Sequence, residues 1–190
     1  MLPLVLYGKE SQLSYCILSR VCELTGVAYL EQAYMEQTEI GQGHSPLGEL
    51  PILRYQGTPV SSPVAALILL DTLTESLPLL PEEPGLRAQS IQWVEALFAI
   101  YGAGPAAGDA VTLEHAIQTS LQRSSYLIGK GYSLADLCLR QCLLKAGLSP
   151  HWSGETRNLL KYWQKRVESE EQSLRRRLQD VSPQPDLFLP

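Results

Sequence analysis

Strand-type sequence in this chain stops before residue 62. Everything beyond residue 77 reads as helix, and a proline-rich joint lies between. Pro78, Pro81 and Pro84 fall within one stretch of seven residues. Proline removes a backbone donor and fixes φ, so neither a helix nor a sheet runs through such a stretch. The chain must therefore fold as an α/β unit followed by an all-helical one. The predicted boundaries are 1–76 for the first unit, 77–84 for the joint and 85–181 for the helical unit. Residues 182–190, with Ser182-Pro-Gln-Pro-Asp, form a loosely held tail.

Within the first unit, Leu4-Val5-Leu6-Tyr7 is a short apolar run closed by Gly8. Leu13, Ile17, Val21 and Leu24 then recur at helical spacing, and Gly26 supplies a helix stop. Val27–Leu30 and Pro51–Tyr55 read as strands, and Pro59–Ser61 follows the Gln56-Gly57 turn as a short fourth one. Val64–Leu73 reads as helix. In the second unit, Ile91, Val94, Leu97, Phe98 and Tyr101 form one helical stripe and Leu113, Ile117 and Leu121 another. Leu160, Trp163 and Val167 mark a further helix. Gly102–Gly108 is rich in breakers and reads as a loop.

Composition bounds the function. The chain carries 15 Lys and Arg against 20 Asp and Glu, a net charge of −5. Phosphate binding needs clustered cations, so a nucleic-acid binder driven by overall charge is excluded. The one basic run, Arg175-Arg176-Arg177, follows Glu168, Glu170 and Glu171 and reads as a solvated helix face. No apolar run approaches the roughly 18 residues of a membrane span. The first residues lack the basic start of a signal peptide, so an intracellular, cytoplasmic protein is expected. Cys16, Cys22, Cys138 and Cys142 have no metal-ligand or Cys-x-x-Cys spacing and read as small apolar packers; no metal site is expected.

Ser133-Leu134-Ala135-Asp136 is the sharpest local signal. It matches a capping box, in which the serine accepts from a first-turn amide and the Asp136 carboxylate reaches back to the Ser133 N–H. Tyr132 and Leu137 stand where a hydrophobic staple would. A helix entering a core must have its first amides satisfied, so both polar residues are assigned to the fold and not to chemistry.

Three stretches together resemble the glutathione-transferase fold superfamily. They are Leu6-Tyr7-Gly8 through Cys22-Glu23-Leu24-Thr25-Gly26-Val27-Ala28-Tyr29, then Ser45-Pro46-Leu47-Gly48-Glu49-Leu50-Pro51-Ile52-Leu53, then Tyr126-Leu127-Ile128-Gly129 with Tyr132-Ser133-Leu134-Ala135-Asp136-Leu137. The second is similar to the family's Asn-Pro-x-Gly-x-Val-Pro-x-Leu, in which Pro51 holds the place of a cis-proline. The resemblance implies an α/β plus all-α class: a thioredoxin-like N-terminal domain followed by a helical C-terminal domain.

Enzymes of this family hold a thiol tripeptide. A hydroxyl or thiol near the start of the first helix stabilises the thiolate. Here that position falls on Gln12 or Leu13, flanked by Ser11 and Ser14, with Tyr7 near the place used by tyrosine-type members. Ser11 also reads as the helix N-cap, and Tyr7 as a half-buried strand residue. The resemblance assigns ligand contacts to Leu50, Pro51, Ser61 and Ser62. Aligned without gaps from Gly57, however, the family's acidic–serine pair falls on Ser62 and Pro63. Proline offers neither hydroxyl nor N–H, so two donors for the γ-glutamyl carboxylate are missing. It suits a helix's first turn, which leaves the fold intact. A redox enzyme of this fold needs a cysteine at the first helix's start, and Cys16 lies a turn too late.

Non-catalytic members of the superfamily include domains of aminoacyl-tRNA synthetases, their complex scaffold proteins and elongation factor subunits. Gln92-Trp93-Val94-Glu95 and Leu160-Lys161-Tyr162-Trp163 resemble segments of such domains, although Tyr162 replaces their usual arginine. The expected function is a non-catalytic protein–protein interaction module of a synthetase or translation elongation complex, without a cofactor. Its expected partners are other such domains or a second copy, with no membrane or direct nucleic-acid contact. Candidate docking residues are Ala66, Leu69 and Leu70 on a helix apolar nearly all round, Trp93 on the next helix, and Arg157 as a charge that would orient a partner. The alternative is a transferase that conjugates glutathione to small electrophiles.

Overall fold

The computed structural model describes residues 4–33, 52–74, 77–102, 107–147 and 152–181. Leu50 and Pro51, two of the expected ligand contacts, lie outside them, as does the Ser45–Glu49 part of their motif. In the first unit, β1 (Leu4–Gly8) leads to α1 (Leu13–Thr25) and β2 (Tyr29–Ala33). Next come β3 (Ile52–Tyr55), β4 (Thr58–Val60) and α2 (Pro63–Leu73). The sheet order is β2-β1-β3-β4. β1 and β2 pair in parallel, which requires the α1 crossover between them. β3 runs antiparallel to both β1 and β4, with Leu6 opposite Leu53 and Tyr7 opposite Ile52. The mixed four-stranded sheet with its flanking helices is a thioredoxin-like unit.

The second unit is helical among the described residues: α3 (Pro84–Gly102), α4 (Ala107–Arg123), α5 (Leu134–Ala146) and α6 (Gly154–Val181). The stretches around Leu160 and Arg175 belong to one helix, α6. Arg157, a candidate docking charge, therefore lies in the first turn of that helix. The expected N-cap of α1 also moves by one residue. Gln12 occupies it, and its Oε1 accepts from the Lys9 N–H at 3.1 Å, closing the turn that carries Ser11.

The units are fused through α1, which packs against α2, α3, α5 and α6 as well as its own sheet. Its buried set (Tyr15, Ile17, Leu18, Val21, Cys22, Leu24 and Thr25) is wider than one stripe because it is covered on two sides. Gly26 turns the chain at φ 73°, and the side chain of Leu178 from α6 fills the space where a Cβ would stand. Asp71, near the end of α2, accepts from the Leu79 and Leu80 amides at 2.7 and 2.8 Å and so holds the proline-rich joint in place. The joint in turn offers the Leu79 carbonyl to the first-turn amide of Leu134 in α5, at 2.8 Å.

α5 is the axle of the helical unit, with Leu134 through Leu139 and Cys142 all buried. Its capping box forms as expected. The Asp136 carboxylate, fully buried, does more than close the box. One oxygen accepts from the Ser133 N–H and hydroxyl at 3.1 and 2.9 Å. The other accepts from the Leu127 amide at 2.9 Å and from Trp163 Nε1 of α6 at 2.8 Å. Burial pushes this carboxyl up from its ordinary value, and the four donors pull it back. A second buried carboxylate, Glu171 of α6, pairs with Arg20 of α1 and Arg140 of α5 and accepts from the Tyr132 hydroxyl at 3.1 Å. It joins the two units electrostatically.

Asp136→Asn tests the first of these centres. The amide nitrogen would face donors at one of its two positions, leaving buried N–H or O–H groups unpaired. The expected loss is about 2–4 kcal/mol of unfolding free energy in urea titration. A loss under about 0.5 kcal/mol would show that the four hydrogen bonds are dispensable.

Candidate functional site

A cleft of about 810 Å³ opens where the start of α1 meets the helical unit. Ser11, Gln12, Leu13 and Ser14 form one wall, with Pro63 and Val64 from the start of α2 beside them. Phe98, Ala99, Tyr101 and Gly102 close it from α3, and Cys142, Lys145 and Ala146 from α5. The two units thus contribute different chemistry: serine hydroxyls and the start of α1 from the first, aromatic and apolar surface with the Lys145 side chain from the second.

Local sequence explains the polar wall. No side chain caps α1, and its first turn carries no acidic residue. No side chain therefore takes up the first amides of that helix, and its positive end favours an anion. The exposed Ser11 side chain stands just before them. The hydroxyl and the helix end together make a suitable surrounding for a thiolate. Two hydrogen bonds fix the loop behind Ser11: the Glu10 carbonyl accepts from Cys16 Sγ at 3.1 Å and from Lys145 Nζ.

The α2 wall differs. Ser62 is its N-cap, and its hydroxyl accepts from the Ala65 amide at 3.3 Å. Pro63 occupies the first helical position, so no amide is offered there. Ser62 is exposed and Ser61 half-buried; neither lines the cleft. Tyr7 is 4% exposed within β1 and does not line it either. Of the two hydroxyls predicted for thiol activation, the structure places only Ser11 at the cleft.

The other thiols and phenols near the cleft stay neutral. Burial pushes Cys142 up to about 12, and Tyr101 likewise to about 12. Cys22 is raised to about 12 by the same cause, and fully buried Cys138 is raised well above its ordinary value. These three cysteines behave as the packers the sequence predicted. Among the described residues no group of three or more His, Cys, Asp or Glu could hold a metal ion, and no helix is long and apolar enough to cross a membrane.

The docking candidates separate. Ala66 and Leu70, expected to meet a partner, are 1% and 0% exposed. They are spent on this chain's own core, because α2 is covered by α1, α3 and β4. Leu69 is half-buried. Trp93 is half-buried in a groove of about 420 Å³ between α3 and α4, lined also by Gln89, Gln92, Ala96, Ile100 and Ala116. Arg157 lies in the first turn of α6, beside Glu114 of α4. The Glu114 carboxyl is held low, first by the Ser153 amide at 2.7 Å and then by the Ser153 and Thr156 side chains and by Arg157. Arg157 is thus engaged within the chain.

Sequence reasoning missed Lys145 and did not assign Phe98 and Tyr101 to a site. A lysine in a helix's last turn is ordinary dipole complementation, and aromatic residues at helical spacing read as core. Nothing local marks them as cleft residues.

No family model and no curated protein matches this chain. Solved structures do. A glutathione transferase homolog from Drosophila mojavensis, solved with bound glutathione, is 13% identical. It aligns over 93% of this chain and 94% of its own, with a TM-score of 0.74. A diazinon-metabolizing glutathione S-transferase of the silkworm, Bombyx mori, is 16% identical over 91% and 94%, with a TM-score of 0.73. A glutathione S-transferase from Pseudomonas fluorescens is 23% identical over 88% and 96%, with a TM-score of 0.66. At these identities the likeness establishes architecture: the chain has the glutathione-transferase fold, a thioredoxin-like domain followed by a helical one.

Proposed function

We propose that this protein binds glutathione through its thiol end in the cleft at the start of α1 and conjugates it to small electrophiles. The observation that carries the reading is Ser11, lying with the uncapped first turn of α1 on one wall of a cleft whose other wall is mainly aromatic and apolar, with Lys145 at its edge. The fold it shares with glutathione transferases supports it. In the reaction the thiol loses its proton to solvent, and the thiolate is held by the Ser11 hydroxyl and the helix end. The sulfur then attacks the electrophilic carbon, and the leaving group departs with its electron pair. Phe98, Tyr101 and Val64 offer the electrophile an apolar surface.

The carboxylate end of the tripeptide is held weakly in this reading, because Pro63 withholds a hydroxyl and an amide. Affinity for glutathione is therefore low, and turnover rests on the thiol end. Isothermal titration with glutathione and a conjugation assay with an aromatic chloride test this together. Binding in the millimolar range with turnover is expected, and Ser11→Ala should lower kcat/KM by roughly tenfold to a hundredfold. Absence of both heat and turnover above the uncatalysed rate would overturn the reading. Pro63→Ser restores the missing donors and should tighten glutathione binding about two- to tenfold. Unchanged affinity in that variant would show that the carboxylate does not lie against α2.

A second reading rests on the same proline. If the tripeptide has no anchor at α2, the fold serves as a protein-docking module, with the Trp93 groove as its contact face. The synthetase or elongation-complex setting, in the cytoplasm, rests on the likeness of Gln92–Glu95 and Leu160–Trp163 to such domains. Trp93→Ala would then abolish capture of another transferase-fold domain, or self-association, while leaving the fold intact. Retained association would dismiss the groove as the contact face.

A further inference from the structure

Among the described residues, the polar wall of the cleft contains no charged residue, and the one charge lining the cleft comes from the opposite unit, from Lys145 near the end of α5. Its ammonium donates to the Glu10 carbonyl, the peptide oxygen immediately before Ser11. That contact brings the cation to the loop that carries the candidate hydroxyl. One of three ammonium hydrogens is used there, and two are left for another acceptor. Among the described residues, no carboxylate pairs with Lys145.

We propose that Lys145 is the cation that holds a cleft-bound thiol as its thiolate beside Ser11, so that the helical domain completes the site of the first domain. This rests on the glutathione reading above and adds a residue to it. The hydroxyl and helix amides orient the sulfur as hydrogen-bond donors. The ammonium adds a full positive charge, which favours the ionised sulfur by Coulomb attraction. The thiol proton leaves to solvent, and no group of the protein has to accept it.

Among the described residues, the neighbouring ionisable groups do not supply this charge. Tyr101 from α3 and Cys142 from α5 are kept neutral by burial. Tyr15 of α1 is buried beside Glu31 and Glu10 and is likewise neutral, pushed up to about 12 by burial first. Cys16 donates its thiol hydrogen to the Glu10 carbonyl. Lys9 and Glu10 are exposed on the loop and outside the cleft lining, where solvent screens them.

The test is the pH titration of the glutathione thiolate bound to the full chain, read from the ultraviolet absorbance of the thiolate. Lys145→Gln keeps a donor for the Glu10 carbonyl and removes the charge, whereas Lys145→Arg keeps the charge. The bound thiol is expected to titrate about half a unit to one unit higher in the glutamine variant. The arginine variant should titrate within a few tenths of the parent. A titration unchanged in Lys145→Gln, with glutathione still bound, would overturn the role of Lys145 alone. Failure of the parent protein to bind glutathione would instead overturn the reading of the cleft and this inference with it.

Discussion

The buried carboxylate of Asp136 is the constraint on which the rest of the fold depends. A helix that starts inside a core brings several unpaired amides with it, and water cannot satisfy them there. At this start the Leu79 carbonyl takes the Leu134 amide, and the Asp136 carboxylate takes the Ser133 amide and hydroxyl before reaching beyond its own helix to Leu127 and Trp163. One side chain thereby fixes the loop before α5, the start of α5 and the middle of α6. With α5 fixed in this way, its far end, carrying Cys142, Lys145 and Ala146, is delivered to the cleft.

The two units are joined by polar contacts as well as by the core. Asp71 pins the proline-rich joint, the joint pairs with α5, and Glu171 gathers arginines from α1 and α5. Such buried charges are costly to expose singly, and they favour one relative placement of the units. A cleft built from both units needs that placement. Its walls would not meet if α1 and α5 could slide past one another.

Much of the fold was legible in the sequence, because its signals were local. The proline cluster, the Ser133–Asp136 box, the Gly26 stop and the apolar spacings each act within one turn or one strand. What escaped was set by contacts between distant segments. Ala66 and Leu70 read as available because α2 is apolar all round, and nothing local says that three elements cover it. The cap of α1 fell on Gln12 instead of Ser11, since a glutamine closing the turn onto Lys9 is not a residue that capping preference selects. At the site, Ser11 was found by its position before the first helix. Lys145 was not, because its importance comes from Glu10, far away in the chain.

The central claim is that the cleft at the open end of α1, and not the α3–α4 groove, is where this protein meets its ligand. The most direct measurement is amide chemical-shift mapping by NMR as glutathione is added to the full chain. The account predicts that the largest shifts fall on Ser11, Gln12, Leu13, Ser14 and Ala146, with saturation. Shifts confined to the Trp93 groove, or none at these five amides, would contradict it.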